Sequence, residues 1–142
     1  VTLVNKFGVA SKAVVVNKNK FLLIKKRKLD DLSKVEWDIP GGRVEYGEQP
    51  QETIIREIQE EVHLNVRIIG VSNVWSVQLD NFQLVGITFI CEYLGGDLRT
   101  SKEHTEARWV EFSKVKELDI PQWLRTDIEF AVKAYLRLKD KE

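Results

Sequence analysis

Hydrophobic positions along this chain change period several times, and each change marks an element. Ala10–Val16 and Phe21–Arg27 are strand-like runs separated by Asn17-Lys18-Asn19-Lys20. Asn tolerates left-handed backbone angles, so a hairpin is expected there. A polar loop, Lys28–Glu36, leads to the short stretch Trp37-Asp38-Ile39, which Pro40-Gly41-Gly42 stops. From Pro50 to Val62 the apolar residues fall at Ile54, Ile55, Ile58 and Val62, a helical spacing. Pro50 suits the first turn of that helix, where its missing N–H costs little. Val66–Val77 and Phe82–Tyr93 are two longer strands with Asp80-Asn81 as turn material, and Gly95-Gly96-Asp97 breaks the chain again. Glu106–Phe112 forms a further short strand, and Ser113 caps a brief helical turn reaching Leu118. Pro121 opens a last helix whose apolar stripe is Leu124, Ile128, Ala131, Tyr135 and Leu138. This order predicts the α/β class, with a mixed sheet between helices rather than a regular parallel βαβ array.

With 142 residues and no repeat, low-complexity tract or Pro/Ser-rich linker, residues 1–142 are expected to form one domain. Twenty-two basic and 22 acidic residues balance to zero charge. No global footprint for a nucleic-acid polymer or an anionic membrane results, although a local site for a small anion is still allowed. Cys91 is the only cysteine and lies in an apolar run, so it reads as a buried, inert thiol. No segment resembles a signal peptide, and no apolar run approaches the roughly 18 residues of a membrane span. A cytoplasmic enzyme is the expectation. The chain starts at Val1 and contains no Met, which leaves room for a natural start upstream.

The chemistry is concentrated between Gly42 and Leu64. At about 100° per residue, Glu57, Glu60 and Glu61 share roughly one third of the helix circumference, beside the arc of Ile54, Ile55, Ile58 and Val62. Like charges so spaced repel by about a few tenths of a kcal/mol per solvated pair, and burial raises both the cost and the pKa values. A hard cation such as Mg²⁺ removes that penalty, taking oxygen ligands and sharing the rest of its shell with water and substrate phosphates. A solvated acidic helix face is the bland alternative. Two features weigh against it: the Pro40-Gly41-Gly42 turn just ahead of the helix, and Arg56 among the acids Glu45, Glu48, Glu52 and Glu60.

The residues Gly42, Glu48 and Arg56-Glu57-Ile58-Gln59-Glu60-Glu61-Val62-His63-Leu64 resemble the signature of the Nudix family: Gly, five residues, Glu, seven residues, Arg-Glu-apolar-x-Glu-Glu-x-Gly-apolar. Every position matches except the last glycine, here His63. Trp37–Glu45 looks like the family's approach to this box, and Arg108-Trp109-Val110 followed by a short helix is similar to its C-terminal half. The resemblance spans most of the chain, although only the box is specific. It implies an α/β/α sandwich, a Nudix fold with a loop–helix–loop box. It implies that Glu57, Glu60 and Glu61 bind Mg²⁺ or Mn²⁺, with a carbonyl of Gly41 or Gly42, and that Arg56 and Glu48 orient the carboxylates. Two candidates stand for the general base: Glu60, and Glu103 in the polar loop before the Trp109 strand. His63 stands where a left-handed residue ends the helix, at a cost on the order of 1 kcal/mol, and reads as a tolerated cap.

Lys25, Lys26, Arg27 and Lys28 form a basic strand end, which an edge strand protected by charge would also show. By resemblance Arg27 is a substrate-phosphate contact, and Arg43 could act likewise. Trp37, Trp75 and Phe82 could stack on a base, though core packing is the commoner role of such aromatics; His104 has no assigned role. The expected reaction is hydrolysis of a pyrophosphate bond in a nucleoside diphosphate derivative. A MutT-like cleavage of a (deoxy)nucleoside triphosphate to monophosphate and pyrophosphate leads, followed by ADP-ribose or sugar-nucleotide hydrolysis. A non-catalytic nucleotide-sensing module and an isomerase on the same scaffold compete. Retention of every box carboxylate, and the lack of an attached effector domain, favour the enzyme. Dimers are common among similar proteins, so a homodimer stays open.

Overall fold

The computed structural model describes residues 6–27, 34–100 and 104–142, with the backbone alone at His104 and Thr105. The strands are β1 (Lys6–Asn17), β2 (Lys20–Arg27), β3 (Val35–Asp38), β4 (Gly41–Arg43), β5 (Asn65–Leu79), β6 (Phe82–Gly95) and β7 (His104–Glu111). The helices are α1 (Pro50–Val62) and α2 (Gln122–Asp140), the latter preceded by a 3₁₀ turn over Phe112–Glu117. The strands order as β3-β2-β1-β6-β5, with β4 pairing β1 and β7 pairing β2. Among the described residues only β1 and β6 run parallel; the other pairings are antiparallel, so the sheet is mixed as expected.

Alternation along the central strands separates two cores. Val14, Val16, Phe21, Leu23 and Ile90 pack with Leu124, Ile128, Ala131 and Tyr135 of α2. Their neighbours Ala13, Val15, Leu22, Ile24, Phe89 and Cys91 pack on the opposite face with Ile54, Ile58 and Val62 of α1. The helices therefore cover opposite faces, which is the α/β/α sandwich. Burying each of the three α1 side chains contributes about 1.5–3 kcal/mol, and together they hold α1 to the sheet. Burial also raises the Cys91 thiol to about 12, consistent with an inert group.

Several local expectations change. Left-handed geometry in the β1–β2 hairpin falls on Lys18 (φ 59°), not on either Asn. Gly41 and Gly42 do not merely stop a strand; they form β4 and pair with Lys12 and Ser11 of β1. Gly41 adopts φ 154° with the Ser11 carbonyl oxygen inside the space a Cβ would need, so only glycine allows this approach. Ile55 and Leu138 lie on exposed arcs, outside the stripes proposed for them, while Thr53 joins the buried face of α1. The 3₁₀ turn has no side-chain cap, so Ser113 does not start it. Strand β2 is no edge, being flanked by β1, β3 and β7, so edge protection does not explain its lysines. No helix among the described residues is long and apolar enough to cross a membrane.

Candidate active site

Helix α1 is anchored at both ends by its own sequence. The buried Ser11 hydroxyl donates to the Pro50 carbonyl (2.8 Å), which ties the first turn to β1. The Gln49 N–H donates to Glu52 (3.0 Å), so Glu52 serves the helix start and is not among the acids around Arg56. At the far end His63 takes the left-handed angles φ 59°, ψ 36°, and its N–H donates to the Gln59 carbonyl, as expected of a cap.

Between these anchors the three carboxylates differ sharply. Side-chain exposure is 17% for Glu57, 59% for Glu60 and 7% for Glu61. Glu61 turns inward and accepts from the Gly41 N–H at 2.8 Å. Glu57 lies in the space beside Gly42 that a Cβ would fill, which explains why the second glycine is needed. Arg56 gathers the remainder. Its guanidinium donates to Glu48 at 2.7 and 3.1 Å, to Glu57 at 2.9 Å and to Glu60 at 3.3 Å, with Glu45 at 3.7 Å. Glu48 in turn accepts from the Thr53 hydroxyl (2.6 Å) and the Glu45 N–H (3.1 Å). Arg56, then Thr53 and Glu45, hold the Glu48 carboxyl down at about 2. The same Glu48 contact raises Arg56 above its ordinary value. Glu57 moves upward, because burial and the nearby Glu61 charge outweigh Arg56.

Lys26, passed over in favour of Arg27 in the sequence, completes the cluster. Its ammonium donates to the Gly41 carbonyl (3.0 Å) and pairs with Glu61 (3.3 Å). A cation of the protein's own thus rests on Glu61 and on one of the two glycine carbonyls among the groups that the resemblance assigns to metal. Among the described residues, no three acidic, His or Cys side chains surround one point. The donor set of Glu57, Glu61 and the Gly41 carbonyl is all oxygen, partly buried and raised in pKa at Glu57, which suits a hard divalent cation. Arg27 is exposed at the end of β2 and paired across from Val35; strand alternation turns it to the face opposite Lys26. The Arg43 side chain lies over Phe82 (4.5 Å) beside Gly8, and only its carbonyl faces Arg56. Neither arginine is brought to the carboxylates. Glu103 and the His104 side chain lie outside the described residues.

On the α2 face a cleft of about 690 Å³ opens, lined among others by Lys12, Asn73, Trp75, Trp123, Gln122 and Asp127. Trp75 lies flat across Gly86, whose missing Cβ makes the room, and its indole N–H donates to Thr88 (3.0 Å). Thr88 and Asn73 donate to the two oxygens of the buried Asp127 carboxylate, at 2.7 and 3.1 Å. Lys12 donates to both oxygens of Asp38 (2.8 and 2.7 Å) and lies 5.7 Å from the Trp123 ring centre. Of the three aromatics considered from sequence, only Trp75 faces this cleft. Trp37 packs against the α2-side core between Lys25 and Arg108, and Phe82 carries Arg43. Two signals could have revealed the cleft: Lys12 interrupts an apolar strand, and Asp127 sits inside the apolar stripe of α2.

The NUDIX domain family profile matches residues 6–128. An ADP-ribose pyrophosphatase of Methanocaldococcus jannaschii is 30% identical over 135 residues, covering 94% of this chain and 75% of its own length. The 8-oxo-dGTP diphosphatase of Escherichia coli is 37% identical over 49 residues, 34% of this chain and 38% of that protein. A crystal structure of a MutT protein from Methanosarcina mazei superposes with a TM-score of 0.79 at 24% identity, over 94% of this chain and 99% of the other, and so shares the fold. On the profile match over residues 6–128, with every box position but the last glycine present, this chain belongs to the Nudix family of hydrolases.

Proposed function

We propose that the protein hydrolyses a pyrophosphate bond in a nucleoside diphosphate derivative, with Mg²⁺ or Mn²⁺ held by Glu57, Glu60, Glu61 and the Gly41–Gly42 backbone. The carrying observation is the convergence of Glu57, Glu61 and the Gly41 carbonyl at β4, with a cleft of nucleoside size on the far side of the same strand pairing. Held by these groups, a divalent ion would supply charge neutralisation at the phosphates and Lewis acidity toward the attacking water. Around it the chain's own groups do the positioning. Arg56, locked by Glu48, holds Glu57 and Glu60 in place. Lys26 keeps Glu61 and the Gly41 carbonyl together. Trp75 and Trp123 offer flat surfaces for a base, and Asn73, Gln122 and Asp127 offer polar groups to its edge. Proton removal from the attacking water falls to Glu60 or to Glu103; Glu60, paired with Arg56 at 3.3 Å, is the box acid most open to solvent.

A (deoxy)nucleoside triphosphate is the first substrate class. ADP-ribose is the second, favoured by the archaeal ADP-ribose pyrophosphatase that aligns over 94% of the chain. Product analysis separates them. The protein with Mg²⁺ is incubated with nucleoside triphosphates, their oxidised forms, ADP-ribose and sugar nucleotides, and products are resolved by chromatography. Monophosphate plus pyrophosphate from a triphosphate supports the first class, and AMP plus ribose 5-phosphate from ADP-ribose the second. Metal-independent binding with no cleavage of any of them contradicts the enzyme reading.

A further inference from the structure

Lys12 stands where the two halves of the candidate site meet. On β1 its Cα is paired with Gly41 on one side and with Thr88 on the other. Gly41 is the residue whose amide and carbonyl engage Glu61 and Lys26, and Thr88 is the residue that holds Trp75 and Asp127. The Lys12 side chain extends into the cleft, is 15% exposed, and is the one cation among the residues lining it. Two of its three N–H groups go to Asp38, which also accepts from the Ile39 N–H (2.7 Å) and so cannot swing away freely. The remaining N–H is left for the cleft, on the side of Trp123. Both ends of the site reach this ammonium electrostatically. Burial lowers its pKa, Asp38 opposes the lowering, the Lys26 charge adds to it, and Asp127 acts in the raising direction.

We propose that Lys12 binds the phosphate joined directly to the nucleoside, fixing the substrate between the aromatic cleft and the carboxylates of α1. The assignment rests on the nucleotide reading above. Lys12 is paired with Gly41 and lines the cleft, so it stands between a base held against Trp75 and Trp123 and a scissile bridge near Gly41, and an ammonium is suited to a phosphate oxygen there. Asp38 is the positioning residue: it fixes the ammonium and leaves the pair neutral when no substrate is present. This gives Lys12 a role in discriminating phosphorylated from unphosphorylated nucleosides, independent of the metal.

The test measures, by calorimetry in EDTA, the affinities of AMP and GMP and of the corresponding nucleosides. Wild-type protein is expected to bind each monophosphate about tenfold or more tighter than its nucleoside. Lys12→Met should bind the nucleosides as the wild type does, with the monophosphate advantage reduced to below about threefold. The double variant Lys12→Met/Asp38→Asn removes the stranded carboxylate and should show the same loss, which guards against misfolding of the single variant. An unchanged monophosphate advantage in Lys12→Met overturns the assignment while leaving the cleft as the nucleoside site. A parallel loss of nucleoside affinity also overturns it, since Lys12 would then only support the cleft. Wild-type protein that binds neither monophosphate nor nucleoside removes the nucleotide reading and this inference with it.

Discussion

Glu48 touches neither the Gly41 carbonyl nor Glu61, yet it determines how Arg56 can serve its neighbours. Its two oxygens take two guanidinium N–H groups, leaving the rest of the fork for Glu57 and Glu60. Such supporting partners typically change metal affinity or activity by about 10–100-fold when removed. The depressed Glu48 pKa also has a consequence for stability. The unfolded chain protonates near the ordinary value of 4.5, before the folded chain does at about 2, so acid favours unfolding through this group. Its contribution is complete above about pH 4.5 and is lost as pH falls to about 2. Urea midpoints followed from pH 5 to pH 2 should therefore fall less steeply for Glu48→Gln than for the wild type. Parallel slopes would mean that the carboxylate is not held by Arg56 in solution. At this scale the sequence was informative where spacing was rigid: the box residues are adjacent on one helix, and periodicity places them. It marked Lys12 and Asp127 only as polar breaks in apolar runs and gave Lys26 no partner, because the groups these residues meet come from other strands and helices.

At the scale of the element, α1 is the part most fully written into its own residues. Pro50, the Glu52 contact to the Gln49 N–H, and the spacing of Ile54, Ile58 and Val62 define its start, direction and buried face. Its end is the departure from the family signature. His63 occupies left-handed angles that glycine takes without steric cost, while glycine gives up more chain entropy on folding. His63→Gly should therefore raise stability by about 0.5–1 kcal/mol in denaturant unfolding, with turnover unchanged because the substitution leaves Glu57, Glu60 and Glu61 and their partners in place. Destabilisation by the substitution would show that the imidazole makes a contact that outweighs its backbone strain. The strands were less legible. Residues around Pro40–Gly42 read as a stop because glycine and proline are depleted in strands, but a three-residue strand can be built from glycine when a neighbour must approach closely, as β1 does. Likewise β2 looked like a charged edge, because nothing in a single strand tells how many neighbours it will have.

Across the whole molecule, the sandwich places two different chemistries on opposite faces and lets them meet at one strand pairing. Alternation along β1 sends Ala13 and Val15 toward α1 and Val14 and Val16 toward α2, so each helix carries its own core and its own set of polar groups. The carboxylates belong to the α1 layer and the aromatic cleft to the α2 layer, with Gly41, Lys12 and Thr88 side by side across the sheet between them. The sequence predicted the layers from its order of elements, because a helix-period segment between strand-period segments has few ways to cover a mixed sheet. The cleft depended on long-range pairing, with Trp75, Trp123 and Asp127 brought together across widely separated parts of the chain, so the sequence shows only its polar interruptions, Lys12 and Asp127, and not its walls.

On the proposed function, the carboxylates facing Gly41 and Gly42 carry a divalent-metal hydrolysis of nucleotides. Steady-state turnover of the best substrate with Mg²⁺ tests it directly when measured for Glu61→Gln beside Glu52→Gln, whose carboxylate serves only the helix start. Glu61→Gln is expected to lose on the order of 10²–10⁴-fold in kcat with its fold intact by circular dichroism, while Glu52→Gln retains near wild-type turnover. Equal activity in the two variants would place the reaction, or the metal, elsewhere on the molecule.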